Sequence, residues 1–478
     1  MGQLAGVDAA IWYMESKHQP LHISALVKVV PYPKGDLNVL AIVDHLRVAT
    51  SSTPMLKLMV VDSPIPLSLP YWNEVEELDS NRHIFLHRLV DQGDGQSPLE
   101  RSSYLRSSVA KILAEPLQRD VPPWEIHVFD LIDEVQILTK IHHALLDGAG
   151  GLALLASLMD QEEVDSLVTR GSSDSARYGA KGSSGSRPNL FRALMDLPQE
   201  ALNRLESAAT FQDTLSQLVA AVAKGDEGSL PEALNFGAPK LPFSGALRSS
   251  RDVVSFAVET SHLRKIARYL RATLNDVVLA ASSVTFERYL KEVYEFELSA
   301  SPIVLMPISA KRGSSSSAHN QVGGQLIALP YGKGGIRDAL SAVKEEAWKA
   351  KRLHSRYGPK MLESFAASIA SPLLSPFMRF VGDAKVFDRL DPVFNFIISN
   401  VPGTTDELYL EGNLVDSIVP FGPLAEGAPL NITFVSYLDF THFGITSCPD
   451  IVKAPDRIAE IFCEVVDKFL DEVLKSSD

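Results

Sequence analysis

The sequence predicts a mixed α/β fold (α+β mixed) arranged in two domains. At 478 residues the chain is long for a single hydrophobic core. Strand-like and helix-like patterns of apolar residues alternate in both the first third and the second half, and a polar stretch separates them. We therefore expect an N-terminal domain over residues 1–160, a crossover with helices over residues 161–250 and a C-terminal domain over residues 251–478.

Hydrophobic periodicity places the elements of the first part. An alternating apolar run stops at Pro31-Tyr-Pro33-Lys-Gly35, which is typical of a strand followed by a turn. Two neighbouring apolar runs further on are typical of a hairpin of buried strands. The predicted elements are strands over residues 21–30, 124–131 and 135–141, and helices over residues 37–51, 103–117 and 151–159.

The stretch after the first part changes in character. Residues 160–187 are rich in Gly and Ser, a composition typical of linkers. Two helices are predicted over residues 190–205 and 211–223. We interpret residues 160–250 as a crossover between two halves, although an ordinary surface insertion explains the composition equally well.

The second half again mixes both element types. Thr273 or Asn275 can cap a helix that begins near Asp276, because short polar side chains accept hydrogen bonds from the first free N–H groups of a helix. The predicted elements are strands over residues 253–258, 303–307, 393–399 and 430–438, and helices over residues 263–270, 276–291 and 457–474.

A broken apolar stretch covers residues 361–381. Ser and two prolines interrupt it, so it is unsuited to crossing a membrane. An apolar substrate channel or a surface that contacts lipid would fit this pattern. Ordinary packing of core helices is the more common use of such residues.

Composition excludes several classes of function. The formal net charge is −14 (45 basic minus 59 acidic residues), and no basic tract stands out, so nucleic-acid binding is not expected. Only Cys448 and Cys463 occur, which favours a reducing cytoplasm over a disulfide framework. The N-terminus has no secretory signal pattern, and no apolar run is long enough for a membrane span.

The segment from His142 to Gly151 is the strongest candidate for a chemical site. It places His142, His143, Asp147 and a glycine cluster just after a predicted buried strand. An imidazole has an ordinary pKa of about 6.5, so it can take a proton from a hydroxyl and return it near neutral pH. Gly148 lets the backbone turn and a substrate approach closely.

Two other uses of the histidine pair deserve comparison. One histidine could simply pack in the core, but adjacent residues at a strand end point to opposite sides. Metal binding is also conceivable, yet neither HExxH nor a cysteine cluster is present. We therefore favour a general base and predict no metal.

The pattern His-His-x-x-x-Asp-Gly resembles a motif shared by chloramphenicol acetyltransferases, carnitine acyltransferases, peptide-synthetase condensation domains and bacterial wax ester synthase/diacylglycerol acyltransferases. The flanking segments are similar to the last of these families, in order along nearly the whole chain. They are Asp8 with Glu15 and Leu21-His22-Ile23, Pro122-Pro123-Trp124-Glu125, Asn275-Asp276, Pro307-Ile308-Ser309, Ser399-Asn400-Val401-Pro402-Gly403, and Leu430-Asn431-Ile432 with Ser436-Tyr437.

This resemblance implies a fold and a reaction. The fold would be two chloramphenicol-acetyltransferase-like domains, each a mixed sheet flanked by helices, with an active-site channel between them. The reaction would transfer an acyl group from the cosubstrate acyl-CoA, without a bound cofactor, to diacylglycerol or a long-chain fatty alcohol. Peripheral contact with an inner membrane or lipid droplets would follow, and both monomer and homodimer remain open.

The resemblance also assigns roles to single residues. His143 would be the general base, with His142 in support. Asp147 would be structural, in an ion pair with Lys311 or Arg312, and a role in orienting His143 is the alternative. Gly148 would shape the loop, and Asn275 would stabilise an oxyanion or cap its helix. The substrate-binding candidates are Trp124, Ser399, Asn400, Asn431, Ser436 and Tyr437.

Two alternative functions fit parts of the pattern. One is a condensation-type acyltransferase that takes acyl groups from a carrier protein. The other is a non-catalytic lipid-binding protein with a vestigial site. The segment Asn400-Val401-Pro402-Gly403 disfavours the first, and the intact His143, Asp147 and Gly148 disfavour the second.

Overall fold

The architecture is taken from a computed structural model. It describes residues 2–32, 37–64, 68–89, 97–131, 133–160, 238–309, 322–333, 335–369 and 383–475. The two helices predicted within residues 190–223 lie outside these ranges, as do Lys311, Arg312 and residues 370–381 of the broken apolar stretch.

The first part alternates short helices and strands much as the periodicity predicts. The hairpin and the strand before the turn are confirmed, and the helix after the histidine pair begins three residues earlier than expected. The elements are α1 Gly6–Met14, β1 His22–Val30, α2 Val39–Ser52, β2 Leu58–Val61, β3 Tyr71–Glu74, β4 Ile84–Arg88, α3 Pro98–Ala114, β5 Trp124–Asp130, β6 Val135–His142 and α4 Gly148–Ser157.

The second part contains longer helices and a second set of strands. All seven elements predicted from its sequence are present, with shifted ends. The elements are β7 Asp252–Glu259, α5 Thr260–Tyr269, α6 Leu274–Tyr294, β8 Ile303–Ser309, β9 Val322–Ala328, α7 Ile336–Ile369, β10 Phe396–Thr404, β11 Tyr409–Leu410, β12 Asn413–Phe421, β13 Leu430–Tyr437, β14 Phe440–Ser447 and α8 Pro455–Lys475.

The first sheet has the strand order β11-β12-β1-β6-β5-β4. β1 pairs antiparallel with β6 on one side and with β12 on the other, where Ser24 lies opposite Phe421. β12 and β11 belong to the last quarter of the chain, so this sheet is built from both ends of the sequence. The domain boundaries at residues 160 and 250 remain a prediction. They did not anticipate that two strands from the last quarter of the chain belong to the first sheet.

The second sheet has the order β7-β14-β13-β10-β8-β9. Its central strand β13 runs parallel to β10 and antiparallel to β14. Nearly every residue of β13 is buried, because helices cover one face of the sheet and the first half of the molecule covers the other. This arrangement brings the end of β10 toward the histidine segment.

Helices pack on both sheets through apolar faces. α2 and α4 cover one face of the first sheet with Ile42, Leu46 and Leu154, and α3 covers the other with Leu105 and Val109. α5, α6, α7 and α8 together cover one face of the second sheet and form the larger core. Among the described helices, none has both the length and the apolar character needed to cross a bilayer.

The cap of α6 settles one alternative left open by the sequence. The Thr273 side chain accepts a hydrogen bond from the Asp276 N–H at 3.1 Å, and Asp276 in turn accepts from the Thr273 N–H at 2.8 Å. Thr273 is therefore the helix cap. Asn275 lies inside the first turn, where its side chain is available for another contact.

The two sheets approach each other closely where β14 crosses the end of β12. A Cβ atom added to Gly444 would lie 1.9 Å from the Pro420 carbonyl oxygen, a backbone atom that cannot move aside easily. Only glycine fits this crossing.

We predict that Gly444→Ala lowers the free energy of unfolding by about 3 kcal/mol or more, since the added methyl forces two sheets apart. Chemical denaturation of the variant measures this loss. Gly335→Ala is the matched control, because a Cβ there meets nothing within 4 Å. Equal stability of the two variants would contradict this account of the crossing.

Candidate active site

Backbone hydrogen bonds hold the histidine segment at the end of β6. The His142 N–H donates to the Pro123 carbonyl at 3.0 Å, and the His143 N–H donates to the Leu21 carbonyl at 2.9 Å. The Leu145 N–H then closes a turn onto the His142 carbonyl at 2.9 Å. His142 is the last residue of β6, and His143 is the first residue of the turn that follows it.

His142 is completely buried. Its Nδ1 accepts a hydrogen bond from the Ala144 N–H at 3.1 Å, and its Nε2 lies 3.5 Å from Oε1 of Glu15. The ring also packs against the indole of Trp12, with 4.8 Å between centroids. These contacts fix the His142 ring inside the loop.

An ion pair between the buried Glu15 and the partly exposed Arg119 lies next to His142. The Arg119 guanidinium donates to Oε2 of Glu15 at 3.2 Å and to the Trp12 carbonyl at 3.0 Å. Burial raises the pKa of the Glu15 carboxyl, but His142, Arg119 and the Leu21 N–H stabilise the anion more strongly and lower its pKa to about 2. Glu15 is therefore ionised at neutral pH.

The same face of the first sheet contains further buried polar groups. Lys140 is only 1% exposed, and its ammonium lies 3.3 Å from Oε2 of Glu125. His22 lies opposite His142 in the pairing of β1 with β6. Burial and the nearby Lys140 hold the pKa of His22 well below its ordinary value. The sequence reasoning missed this layer, although a lysine within an otherwise apolar strand is a detectable signal.

His143 is half-buried and lies five residues before Gly148, the position that packs against Val401 of the second half. Burial lowers the pKa of its imidazole below the ordinary value of 6.5, and a hydrogen bond with its own backbone and the nearby Asp147 only partly oppose this effect. The ring is therefore mostly neutral at pH 7. A neutral imidazole is the form that accepts a proton.

Asp147 caps α4. Its carboxylate accepts a hydrogen bond from the Gly150 N–H at 2.7 Å, and its carbonyl accepts from the Gly151 N–H at 2.8 Å. The ion pair expected with Lys311 or Arg312 involves residues outside the described ranges. What the structure shows for Asp147 is a helix cap that fixes the start of α4.

The second half contributes the end of β10 and the start of α6. A Cβ on Gly148 would lie 3.2 Å from Cγ2 of Val401, so α4 begins directly against β10. Asn400, the residue before Val401, donates from its Nδ2 to Oδ1 of Asn275 at 2.7 Å. The histidine segment, the Asn400 turn and the first turn of α6 therefore lie side by side.

Gly403 makes this turn possible. β10 contains an irregularity between Val401 and Thr404, and a Cβ on Gly403 would lie 1.7 Å from the Ser436 carbonyl oxygen. Ser399 and Ser436 are half-buried near the turn. The Ser436 hydroxyl lies 3.1 Å from that of Thr441.

Trp124 packs within the first half. Its side chain is 2% exposed, its Nε1 donates to the Leu56 carbonyl at 2.8 Å, and its ring stacks on His83 with 4.3 Å between centroids. The protein itself therefore uses the N–H and one face of the ring, and the expected substrate contact stays a prediction.

Asn431 and Tyr437 are also buried and bonded to backbone. Asn431 is 2% exposed and donates to the Pro423 carbonyl at 2.7 Å. The Tyr437 hydroxyl donates to the Val415 carbonyl at 2.9 Å and accepts from the Leu408 N–H at 3.0 Å. Burial raises the pKa of Tyr437 to about 12. Both side chains connect β13 to neighbouring backbone, and their expected contact with substrate stays a prediction.

Metal ligation has no support in the geometry of the described ranges. Nowhere within them do three His, Cys, Asp or Glu side chains converge in a way that could hold an ion. The chemistry that this segment offers is proton transfer by the imidazole of His143, whose pKa is lowered by burial.

Comparisons with known proteins agree with the resemblance seen in the sequence. Residues 4–278 match the wax ester synthase/diacylglycerol acyltransferase catalytic domain, and residues 318–468 match the C-terminal domain of the same family. An O-acyltransferase of Acinetobacter baylyi is 24% identical, over 100% of this chain and 99% of its own length. A protein of Mycobacterium tuberculosis, named provisionally as a diacylglycerol O-acyltransferase, is 27% identical, over 100% of this chain and 91% of its own length.

Solved structures show the same fold. A wax ester synthase/diacylglycerol acyltransferase from Marinobacter aquaeolei superposes with a TM-score of 0.67 at 20% identity, covering 99% of this chain and 100% of its own. The first condensation domain of a calcium-dependent antibiotic synthetase superposes with a TM-score of 0.55 at 13% identity, covering 98% of this chain and 96% of the condensation domain. The predicted two-domain fold of the chloramphenicol-acetyltransferase type is thereby confirmed.

We expect Asp147→Ala to lower the free energy of unfolding by about 1 kcal/mol, because α4 loses its cap. Asp147→Asn should retain most of that stability, since an amide oxygen caps nearly as well. Urea denaturation measures both variants. An Asn variant that is stable yet as inactive as the Ala variant would instead indicate direct chemistry by the carboxylate.

Proposed function

Because this chain belongs to the wax ester synthase/diacylglycerol acyltransferase family, and is therefore an O-acyltransferase, we propose that it uses acyl-CoA to esterify diacylglycerol, long-chain fatty alcohol or both. The products would be triacylglycerol and wax ester. The observation that carries the proposal is the half-buried His143, which follows directly after β6 in the segment whose Gly148 packs on Val401 of the second half, with its pKa lowered by burial.

His143 would act as the general base. The acceptor hydroxyl gives its proton to the imidazole as its oxygen attacks the thioester carbonyl carbon. The tetrahedral intermediate then expels the coenzyme A thiolate, and the proton held by His143 passes to the thiolate or to solvent. Thiols ionise near pH 8.5, so the thiolate leaves without a strong acid. The ester forms directly, without an acyl-enzyme.

Asn275 is the proposed donor to the developing oxyanion. Thr273 already caps α6, and the Asn400 side chain binds Oδ1 of Asn275. Because Oδ1 of Asn275 faces Asn400, the Nδ2 group of Asn275 points away from Asn400. Preorganised donors of this kind stabilise the negative charge that grows on the carbonyl oxygen.

We place the protein in the cytoplasm, in peripheral contact with an inner membrane or a lipid droplet. The peripheral contact follows from the proposed acceptors, because diacylglycerol and long-chain alcohols partition into lipid. Both cysteines are free thiols, as a reducing compartment requires. A channel between the two halves would admit acyl-CoA and acceptor to the same histidine.

We predict that His143→Ala lowers the rate of acyl transfer by about 10²- to 10⁴-fold, the usual contribution of a general base, with an unchanged thermal midpoint. Release of free thiol from acyl-CoA is followed with diacylglycerol, with a long-chain alcohol and with no acceptor. His87→Gln serves as the control, since His87 lies in β4, away from the histidine segment. Retained activity of the His143 variant would exclude it as the base.

The acid limb of kcat/KM should have its midpoint below pH 6.5. Burial lowers the pKa of His143, so the ring stays neutral to a lower pH than an exposed histidine, and activity falls only as pH drops through that lowered value. Initial rates between pH 4.5 and pH 8, with stability checked at each pH, measure the limb. A midpoint above 6.5 would assign the limb to another group.

A further inference from the structure

Glu15 follows directly after α1 and is almost completely removed from solvent, with a side chain only 2% exposed. Its carboxylate contacts three different parts of the first half. Oε1 accepts from the Leu21 N–H at 3.2 Å and lies 3.5 Å from Nε2 of His142, and Oε2 accepts from Arg119 at 3.2 Å.

Leu21 connects this carboxylate to His143. Its N–H donates to Glu15, and its carbonyl accepts the His143 N–H at 2.9 Å. Glu15 therefore holds the histidine segment at two points: the His142 ring and, through Leu21, the backbone of His143 itself.

The charge of Glu15 matters as well as its shape. A buried anion requires compensation, and Arg119 supplies it while its guanidinium lies 4.3 Å from the centre of the Trp12 ring. Trp12 packs on His142 in turn. The ion pair and the imidazole of His142 thus form one packed unit next to the histidine segment.

We propose that Glu15 is a positioning residue for acyl transfer, which acts through Leu21 and His142 to keep His143 where it meets the acceptor hydroxyl. This inference rests on the proposed role of His143 as base. Reacting groups tolerate little displacement, since a misplacement of about 1 Å can cost a factor of about 100 in rate.

The contacts predict different effects for two substitutions. Glu15→Ala removes both the acceptor for Leu21 and the partner of His142. Glu15→Gln keeps an oxygen that can accept the Leu21 N–H but loses the charge. We expect kcat to fall by about 30-fold or more in the Ala variant, with the KM for acyl-CoA within about twofold, and the Gln variant to recover a substantial part of the loss.

The matched control is Glu125→Gln. Glu125 is another largely buried carboxylate of the same sheet face, paired with Lys140 and His127 but bonded to neither Leu21 nor His142. Its kcat should stay within about threefold of wild type. Thermal midpoints of all variants are recorded, together with hydrogen exchange of a peptide that covers residues 140–147, which should be faster in both Glu15 variants.

The outcomes test the general base and the positioning residue separately. An active His143→Ala variant contradicts both the role of His143 as general base and the positioning role of Glu15. If His143→Ala is inactive but Glu15→Ala keeps the wild-type kcat, only the positioning role is overturned. If Glu15→Ala does not fold, Glu15→Gln decides: a lower kcat with faster exchange at 140–147 supports positioning, and unchanged kcat or unchanged exchange overturns it.

Discussion

The pairing of β12 with β1 is the constraint on which the rest of the molecule depends. β1 lies between β12 and β6, so one strand from the end of the chain is built into the sheet that carries the histidine segment. β12 leads through a short connection into β13, and β13 lies beside β10. The polar turn at Asn400 is thereby placed at the start of α4, and the chain segment between β12 and β13 joins the two sheets.

Local patterns in the sequence predicted the elements well but their arrangement poorly. The alternation of apolar residues over residues 21–30 and their helical spacing over residues 37–51 arise because one face of each element is buried. These patterns therefore predict a strand and a helix. Periodicity carries no information about which strands become neighbours, so the placement of β12 beside β1 could not be read from it. Glycines such as Gly444 mark close approaches, yet the sequence does not say what approaches.

The candidate site could be proposed from the sequence where chemistry demands a particular side chain. His143 was recognisable because few residues exchange protons near neutral pH. Trp124, Asn431 and Tyr437 were assigned to substrate although each is buried with its polar group bonded to backbone. Motif residues can support a site through packing, and a one-dimensional pattern does not separate support from contact. The Glu15 and Arg119 pair spans more than a hundred residues, so its partnership emerges only in three dimensions.

The exchange of β12 also orders the events of synthesis. A ribosome releases the chain from its N-terminus, so β1 emerges long before residues 413–421 exist. Until then the edge of β1 has unpaired N–H and C=O groups, a surface that can pair with strands of other chains. The first sheet therefore cannot be completed until residues 413–421 have been made, 270 residues (413 − 143) after His143 itself. Catalytic competence arrives with β12 and the strands after it and not with the motif itself.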